Sequence, residues 1–322
     1  MVVAKVTPSP IYQSSIEAFK KSGFSLSSPD YQQTRAITNS LPLPDGVVLP
    51  KALVEEKVIP AGVDNHNITL TIVRPIGTEN EVLPVIIYFH GGGWVFGSFK
   101  TTEKLVKNIA VNAHVAVVFV DYSLSPEVRF PVAVEECYSS ILWVHENAEM
   151  IKVDPSNLVV GGDSAGGNLS AVTSIMLKER GHGNVVTGQI LLYPAVTHHR
   201  QHYESYNLFG NGEYILSHSD IAFFGNAYFG NDKRPNDVRC APLLATLDEL
   251  KGLPRALILT AECDVLRDEG EDYARRLSEA GVDTCCMRMI GTIHGYATSP
   301  LETPQYLQTL NMISAFLNKR LC

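Results

Sequence analysis

The chain has 322 residues, of which 45% are hydrophobic and 19% charged, so it can bury a large core and shows no composition typical of disorder. Its formal net charge is −8 at pH 7, and we find no basic cluster, which argues against a nucleic-acid partner. The apolar runs have the length of strands and fall far short of a membrane span. We therefore expect neither nucleic-acid binding nor membrane insertion.

The amino terminus and the cysteines indicate the compartment. Residues 1–15 hold one lysine, two prolines and no apolar stretch of signal-peptide length. The six cysteines form no Cys-x-x-Cys pair, and Cys285 and Cys286 are adjacent. Such usage is typical of a reduced protein rather than of a disulfide framework. The sequence predicts a cytoplasmic location.

The elements, taken in chain order, alternate between strands and helices after a weakly helical amino-terminal region. The predicted strands are 54–59, 68–74, 85–89, 115–121, 158–162, 189–193, 256–261 and 284–290. The predicted helices are 14–21, 29–38, 102–110, 132–147, 165–179, 269–280 and 305–319. Such alternation predicts βαβ units and an α/β fold, with a mostly parallel eight-stranded sheet flanked by helices.

One long segment interrupts the alternation. Residues 197–240 are polar and aromatic, and so long an interruption in a compact domain is usually functional. We predict that this segment and residues 1–50 form a helical cap. The catalytic domain would then consist of residues 51–196 and 241–322.

Two glycine-rich motifs each follow a run of β-forming residues. His-Gly-Gly-Gly-Trp occupies 90–94, and Gly-Asp-Ser-Ala-Gly-Gly occupies 162–167. The second fits the nucleophile elbow Gly-x-Ser-x-Gly, in which a strand turns sharply into a helix and exposes the serine hydroxyl. The first supplies backbone N–H groups that can point at a developing oxyanion. Together the motifs predict acyl transfer, with ester hydrolysis as the main candidate.

Two residues that can activate Ser164 follow late strands. Asp264 comes after strand 256–261, and His294 comes after strand 284–290. In α/β-hydrolases the partners follow the serine in the order acid, then histidine. The carboxyl ends of parallel strands are also where ligands bind. The sequence therefore predicts that these three side chains meet.

Four blocks of sequence resemble the hormone-sensitive-lipase family of α/β-hydrolase carboxylesterases. They are the two glycine motifs, Asp-Tyr-Ser-Leu-Ser-Pro-Glu at 121–127 and Asp-Val-Leu-Arg-Asp-Glu-Gly at 264–270. The third block has two serine replacements, and the fourth has Val265 where the family has proline. The resemblance spans roughly residues 50 to 320, and the blocks occur in the family's order.

The resemblance implies a role for each residue of the catalytic group. Ser164 is the nucleophile, His294 the general base and then acid, and Asp264 the residue that orients the histidine. The enzyme would be a serine carboxylesterase acting on small esters with short to medium acyl chains, and it would need no metal or organic cofactor. Subunits of the family often pair, and strand 284–290 is a candidate for a homodimer contact.

The resemblance also implies an oxyanion hole and a substrate pocket. The Ala165 N–H would act with those of Gly91 and Gly92, and Gly93 is an alternative to either. Asp163 either braces the elbow or borders the pocket. The residues that we predict to bind substrate are Trp94, Asp163, Tyr193 and Tyr296.

Several other polar residues invite competing interpretations. Glu262, Asp268 and Glu269 compete with Asp264, but the last two are better placed to charge the first turn of the next helix. A zinc site at His198, His199 and His202 is disfavoured, because no carboxylate lies between them and no cysteine lies near. We predict no metal site. We also expect Glu127 to pair with Arg129.

Two rival functions stay open at this stage. A serine peptidase or amidase on the same fold would be expected to carry a large additional amino-terminal domain. A non-catalytic small-molecule binder of the same fold would be expected to lack the histidine, and His294 is present.

Overall fold

The computed structural model describes residues 6–230 and 234–319. The strands are β1 (Ala52–Ala61), β2 (His66–Pro75), β3 (Leu83–Phe89), β4 (Ala116–Asp121), β5 (Val153–Asp163), β6 (Gly188–Leu192), β7 (Arg255–Cys263) and β8 (Thr284–Ile293). The helices before β6 are α1 (Pro10–Ser22), α2 (Tyr31–Ser40), α3 (Phe99–Ala113), α4 (Val132–Glu146) and α5 (Ala165–Glu179). The later ones are α6 (Glu204–Phe209), α7 (His218–Phe229), α8 (Leu247–Leu250), α9 (Arg267–Glu279) and α10 (Pro304–Leu317), with a short 3₁₀ turn at Pro242–Leu244.

The eight strands form one sheet in the order β1-β2-β4-β3-β5-β6-β7-β8. The β1–β2 and β2–β4 pairs are antiparallel, and every pair from β4 to β8 is parallel. The prediction of a mostly parallel eight-stranded sheet in an α/β-hydrolase fold is confirmed. All eight predicted strands exist, although several are longer than the sequence pattern indicated.

Helices cover both faces of the sheet. Ile86 and Tyr88 of β3 pack in one core cluster with apolar residues of α3 and α10, whereas Val85 and Ile87 of the same strand pack with α4 and α5. Successive side chains of a strand point to opposite faces, so a strand buried on both faces is apolar throughout. This explains why β3 and β4 appear in the sequence as continuous apolar runs.

Four of the helices lie in the two segments predicted to form a cap. The amino-terminal segment contributes α1 and α2, and the segment between β6 and β7 contributes α6 and α7. Residues 1–5, 231–233 and 320–322 of the predicted domains lie outside the described residues. No helix in the described parts of the chain is long and apolar enough to cross a membrane.

Candidate active site

The turn between β5 and α5 positions Ser164. This residue has φ 54° and ψ −114°, a conformation that non-glycine residues rarely adopt. Its backbone N–H donates to the Leu192 carbonyl at 2.8 Å. A Cβ atom on Gly162 or Gly166 would collide with the backbone carbonyl of Phe89. The glycines therefore let β5, β3 and α5 approach closely enough to hold the strained turn.

Ser164, His294 and Asp264 are joined by hydrogen bonds. The Ser164 Oγ lies 2.9 Å from His294 Nε2, and His294 Nδ1 lies 2.7 Å from Asp264 Oδ2. Asp264 directly follows β7 and His294 directly follows β8, at the carboxyl ends of neighbouring parallel strands. The structure thus brings together the three side chains that the sequence singled out, in an arrangement suited to activating a hydroxyl.

Two environments act on the imidazole of His294. Burial lowers the pKa of His294. The charge of the Asp264 carboxylate and its hydrogen bond to the imidazole outweigh this effect, so the pKa lies above its ordinary value. The carboxylate of Asp264 is itself fully buried, and its other oxygen accepts a hydrogen bond from the Leu266 N–H at 3.0 Å. Asp264 is therefore placed where a carboxylate can orient the imidazole and stabilise its protonated form.

The oxyanion loop differs from the expectation at Gly91. The Gly91 N–H donates to Asp163 Oδ1 at 2.9 Å, so it is not free to bind a developing charge. The backbone N–H groups of Gly92, Gly93 and Ala165 have no hydrogen-bond acceptor among the described residues, and all three residues line the cavity that contains Ser164. The prediction that the Gly91 N–H belongs to the oxyanion hole is therefore corrected. This N–H is already bonded to Asp163, and it anchors the loop instead.

Asp163 fixes this loop to the elbow. The same Oδ1 that accepts from Gly91 accepts the Tyr88 hydroxyl at 2.8 Å. Burial raises the pKa of Asp163, and these two hydrogen bonds oppose that rise. Of the two alternatives left open by the sequence, the structure combines both, since Asp163 braces the loop and also borders the cavity. Tyr88 was missed, because a tyrosine in a buried strand gives no local signal of such a bond.

The other predicted pocket residues divide into two groups. Trp94 lines the cavity, and its ring stacks on Tyr228 with centroids 4.4 Å apart. Tyr193 and Tyr296 are fully buried and do not line the cavity. The Tyr193 ring meets those of His294 and Tyr296 edge to face, at 5.1 and 5.4 Å. Tyr193 therefore packs against the histidine, and Tyr296 packs against Tyr193, which corrects their prediction as substrate contacts.

The cavity at Ser164 has a volume of about 270 Å³. Its walls come from the sheet domain and from both segments predicted to form a cap. The amino-terminal segment contributes Leu26 and Thr38, and the later segment contributes Leu216, Ile221, Phe224, Phe229 and Arg234.

The histidine cluster that invited a zinc interpretation is spread out in the structure. His198 packs against His199, and His202 packs instead against Tyr203. Within residues 6–230 and 234–319, no three His, Cys, Asp or Glu side chains are grouped so that they could hold a metal ion.

A hydrogen-bonded Ser-His-Asp group at the carboxyl end of a parallel sheet defines a serine hydrolase. The sequence profile described as the alpha/beta hydrolase fold matches residues 86–298. An arylesterase of Saccharolobus solfataricus is 33% identical over 242 residues, 75% of this chain and 77% of the relative. The carboxylesterase NlhH of Mycobacterium tuberculosis is 34% identical over 260 residues, 80% of this chain and 79% of the relative.

Solved structures agree with these relatives. A fungal esterase from Rhizomucor miehei superposes with a TM-score of 0.92 at 47% identity, covering 97% of both chains. A hyperthermophilic esterase from Pyrobaculum calidifontis superposes with a TM-score of 0.89 at 35% identity, covering 98% of this chain and 99% of that one. The chain belongs to the α/β-hydrolase family, in its hormone-sensitive-lipase-like branch of carboxylesterases. The predicted family and the predicted carboxylesterase activity are confirmed.

Proposed function

We propose that the protein hydrolyses carboxylic esters of small molecules through an acyl-enzyme on Ser164. The observation that carries this assignment is the hydrogen-bonded chain from Ser164 Oγ through His294 to Asp264. His294 takes the hydroxyl proton as Oγ attacks the ester carbonyl, and then gives that proton to the leaving alcohol. Water activated by the same imidazole hydrolyses the acyl-enzyme.

The oxyanion of each tetrahedral intermediate would be bound by the N–H groups of Gly92, Gly93 and Ala165. These groups are held in place before the reaction, because Gly91 is fixed by Asp163 and Ala165 begins α5. Preorganised donors avoid the reorganisation that water would require, and losing one typically costs ~3–4 kcal/mol of barrier. The positive end of the α5 dipole adds to their effect.

Replacing Ser164 by alanine tests the assignment. We expect Ser164→Ala to abolish turnover of an aryl acetate. Ser170→Ala, at a buried serine of α5 outside the cavity, should retain it. Undiminished turnover by Ser164→Ala would remove this residue from the mechanism. Hydrolysis of an aminoacyl anilide in preference to the aryl acetate would instead favour a peptidase.

The predicted preference for short to medium acyl chains rests on the size and closure of the cavity. Leu216 and Phe224 of the later cap segment line the cavity, whose volume is about 270 Å³. We propose that this segment and residues 1–50 act as a cap. A profile of aryl esters from acetyl to palmitoyl tests this, and a maximum at palmitoyl would contradict it.

The oligomeric state and the cellular location of the protein are also proposals. β8 is the edge of the sheet, and Met287 and Ile290 on it are 42% and 61% exposed, which supports a homodimer formed by pairing of two β8 strands. A monomer in sedimentation at micromolar concentration would contradict this.

The five described cysteines are free thiols, which supports a cytoplasmic location, testable by cell fractionation.

A further inference from the structure

One charged group in the cavity has no evident part in the hydrolysis of a neutral ester. The cavity is lined mostly by apolar and backbone groups. Among the described residues that line it, the cationic side chains are Arg200 and Arg234. Arg200 is neutralised by a buried ion pair, with its Nε 2.6 Å from Glu269 Oε2. Asp163, the acidic residue among the described residues of the lining, accepts hydrogen bonds from the Tyr88 hydroxyl and the Gly91 N–H. Arg234 has no such partner among the residues that the structure describes.

The surroundings of Arg234 hold its guanidinium beside the helix α7. Its contacts are the Phe229 ring, with 5.9 Å from the guanidinium carbon to the ring centroid, and the backbone of Gly225. A Cβ at position 225 would collide with the guanidinium, so the glycine makes room for it. Within the described parts of the chain, Arg234 makes no hydrogen bond and no ion pair, although the guanidinium has five N–H donors.

The electrostatic surroundings make this corner of the cavity positive. Burial, and then the charge of Arg200, lowers the pKa of Arg234. Burial also lowers the pKa of His198 to about 4, with smaller effects from nearby cationic groups, so this imidazole is neutral at pH 7. A half-buried cation without a counter-charge is costly, and an anion that enters the cavity would relieve that cost.

We propose that Arg234 binds a carboxylate of the substrate. Resting on the proposed esterase function, this names the substrate class: esters that carry a carboxylate away from the scissile bond, such as monoesters of dicarboxylic acids. The planar guanidinium presents paired N–H groups that match the two oxygens of a carboxylate. The ester carbonyl would lie at Ser164, and the free carboxylate would reach across the same cavity to Arg234.

The test compares charged and neutral esters of matched length. In the first pair, monoethyl adipate carries the carboxylate on its acyl side, and ethyl hexanoate is its neutral partner. In the second pair, 4-acetoxybutyrate carries it on its alcohol side, and butyl acetate is its neutral partner. The readout is the ratio of kcat/KM for the charged ester to that for its neutral partner. We expect Arg234→Gln to lower this ratio ~10–100-fold in one pair, the range for a hydrogen bond to a charged group.

Two further variants sharpen the result. Arg234→Lys keeps the charge but loses the paired donors, so its ratio should lie between those of the native protein and Arg234→Gln. Arg239→Gln is the matched control, because Arg239 pairs with Asp237 at 2.7 Å and does not line the cavity; its ratio should stay at the native value. Calorimetry with Ser164→Ala should show that the charged ester of the pair that responds binds more weakly when Arg234→Gln is added.

An unchanged ratio in both ester pairs for a folded Arg234→Gln protein would overturn the proposal. A native ratio that favours the neutral ester in both pairs would also overturn it. These outcomes differ from failure of the esterase function, in which the native protein hydrolyses none of the four esters.

Discussion

At the scale of single residues, each member of the catalytic group is held by at least one contact that has no part in the reaction. The Leu192 carbonyl accepts from the Ser164 N–H, the Leu266 N–H donates to Asp264, and Tyr193 packs against His294. Such contacts restrict the rotamers of the reacting side chains. The strained φ of Ser164 is maintained because the glycines around it let three backbone segments close on the turn.

The Asp264 carboxylate should control the pH dependence of hydrolysis. His294 acts as a base only when neutral, so kcat/KM should fall as the pH drops through its pKa. Burial lowers that pKa, but the Asp264 carboxylate raises it by more, so it lies above the ordinary value of histidine. The acid limb of the profile should therefore be centred above that ordinary value. In Asp264→Asn we expect the remaining activity to be much lower and its acid limb to move to lower pH. An acid limb that stays in place would contradict this role.

Asp163 should act by positioning the oxyanion loop. In Asp163→Ala both Gly91 and Tyr88 lose their acceptor, so we expect kcat to fall ~10²-fold, the effect of a displacement of about 1 Å at a reacting centre. Tyr88→Phe keeps the Gly91 bond and should cost much less. Steady-state kinetics on an aryl acetate distinguish the two. Equal losses in both variants would indicate that the hydroxyl, not the loop anchor, is what matters.

At the scale of elements, α2 is fastened to the segment that follows the oxyanion loop. Arg35 donates from Nε to the Val95 carbonyl and from one terminal nitrogen to the Ser125 carbonyl, both at 2.7 Å. Its guanidinium also pairs with both oxygens of Glu127, at 2.6 and 3.0 Å. The expected Glu127–Arg129 pair is therefore wrong, because a residue 92 positions away holds the carboxylate.

Removing the contacts of Arg35 should slow the reaction. We expect Arg35→Met to lower kcat about tenfold, since Val95 is the residue after the oxyanion-loop motif and small displacements there are costly. Lys57→Met is the control: its pair with Glu55 has the same 2.6 Å separation but lies on the exposed edge strand β1. Exposed pairs contribute little, so kcat should not change. Native kcat in Arg35→Met would refute the coupling.

At the scale of the whole molecule, a buried ion pair connects the segment after β6 to the first turn of α9. Glu269 accepts from the Val196 N–H at 2.9 Å and pairs with Arg200 at 2.6 Å. Both charged side chains are almost completely buried, so neither can turn to water if its partner is lost. The prediction that Glu269 merely charges its helix terminus therefore missed its main contact.

Breaking this pair should destabilise the protein as a whole. We expect Glu269→Gln to lower the free energy of unfolding by about 3–5 kcal/mol, because it leaves the Arg200 charge buried and unpaired. Glu103→Gln, which breaks the partly exposed pair with Lys107 one helical turn away, should cost less than about 1 kcal/mol. Chemical denaturation followed by circular dichroism measures both. A change in Glu269→Gln no larger than that of the control would show that the pair contributes nothing net.

The sequence by itself determined the identity and the chain order of the catalytic residues. They are a serine at a glycine-flanked turn, then an acid and a histidine after later strands. These features are local, because a strained turn needs glycine and a parallel sheet places every strand's carboxyl end on one edge. Only the tertiary structure decided that Gly91 anchors the oxyanion loop to Asp163 and that Arg234 lines the cavity. It also decided that Tyr193 and Tyr296 are buried outside the cavity. Each of these depends on groups distant in sequence, whose approach is set by the packing of helices and loops and leaves no periodic trace in the chain.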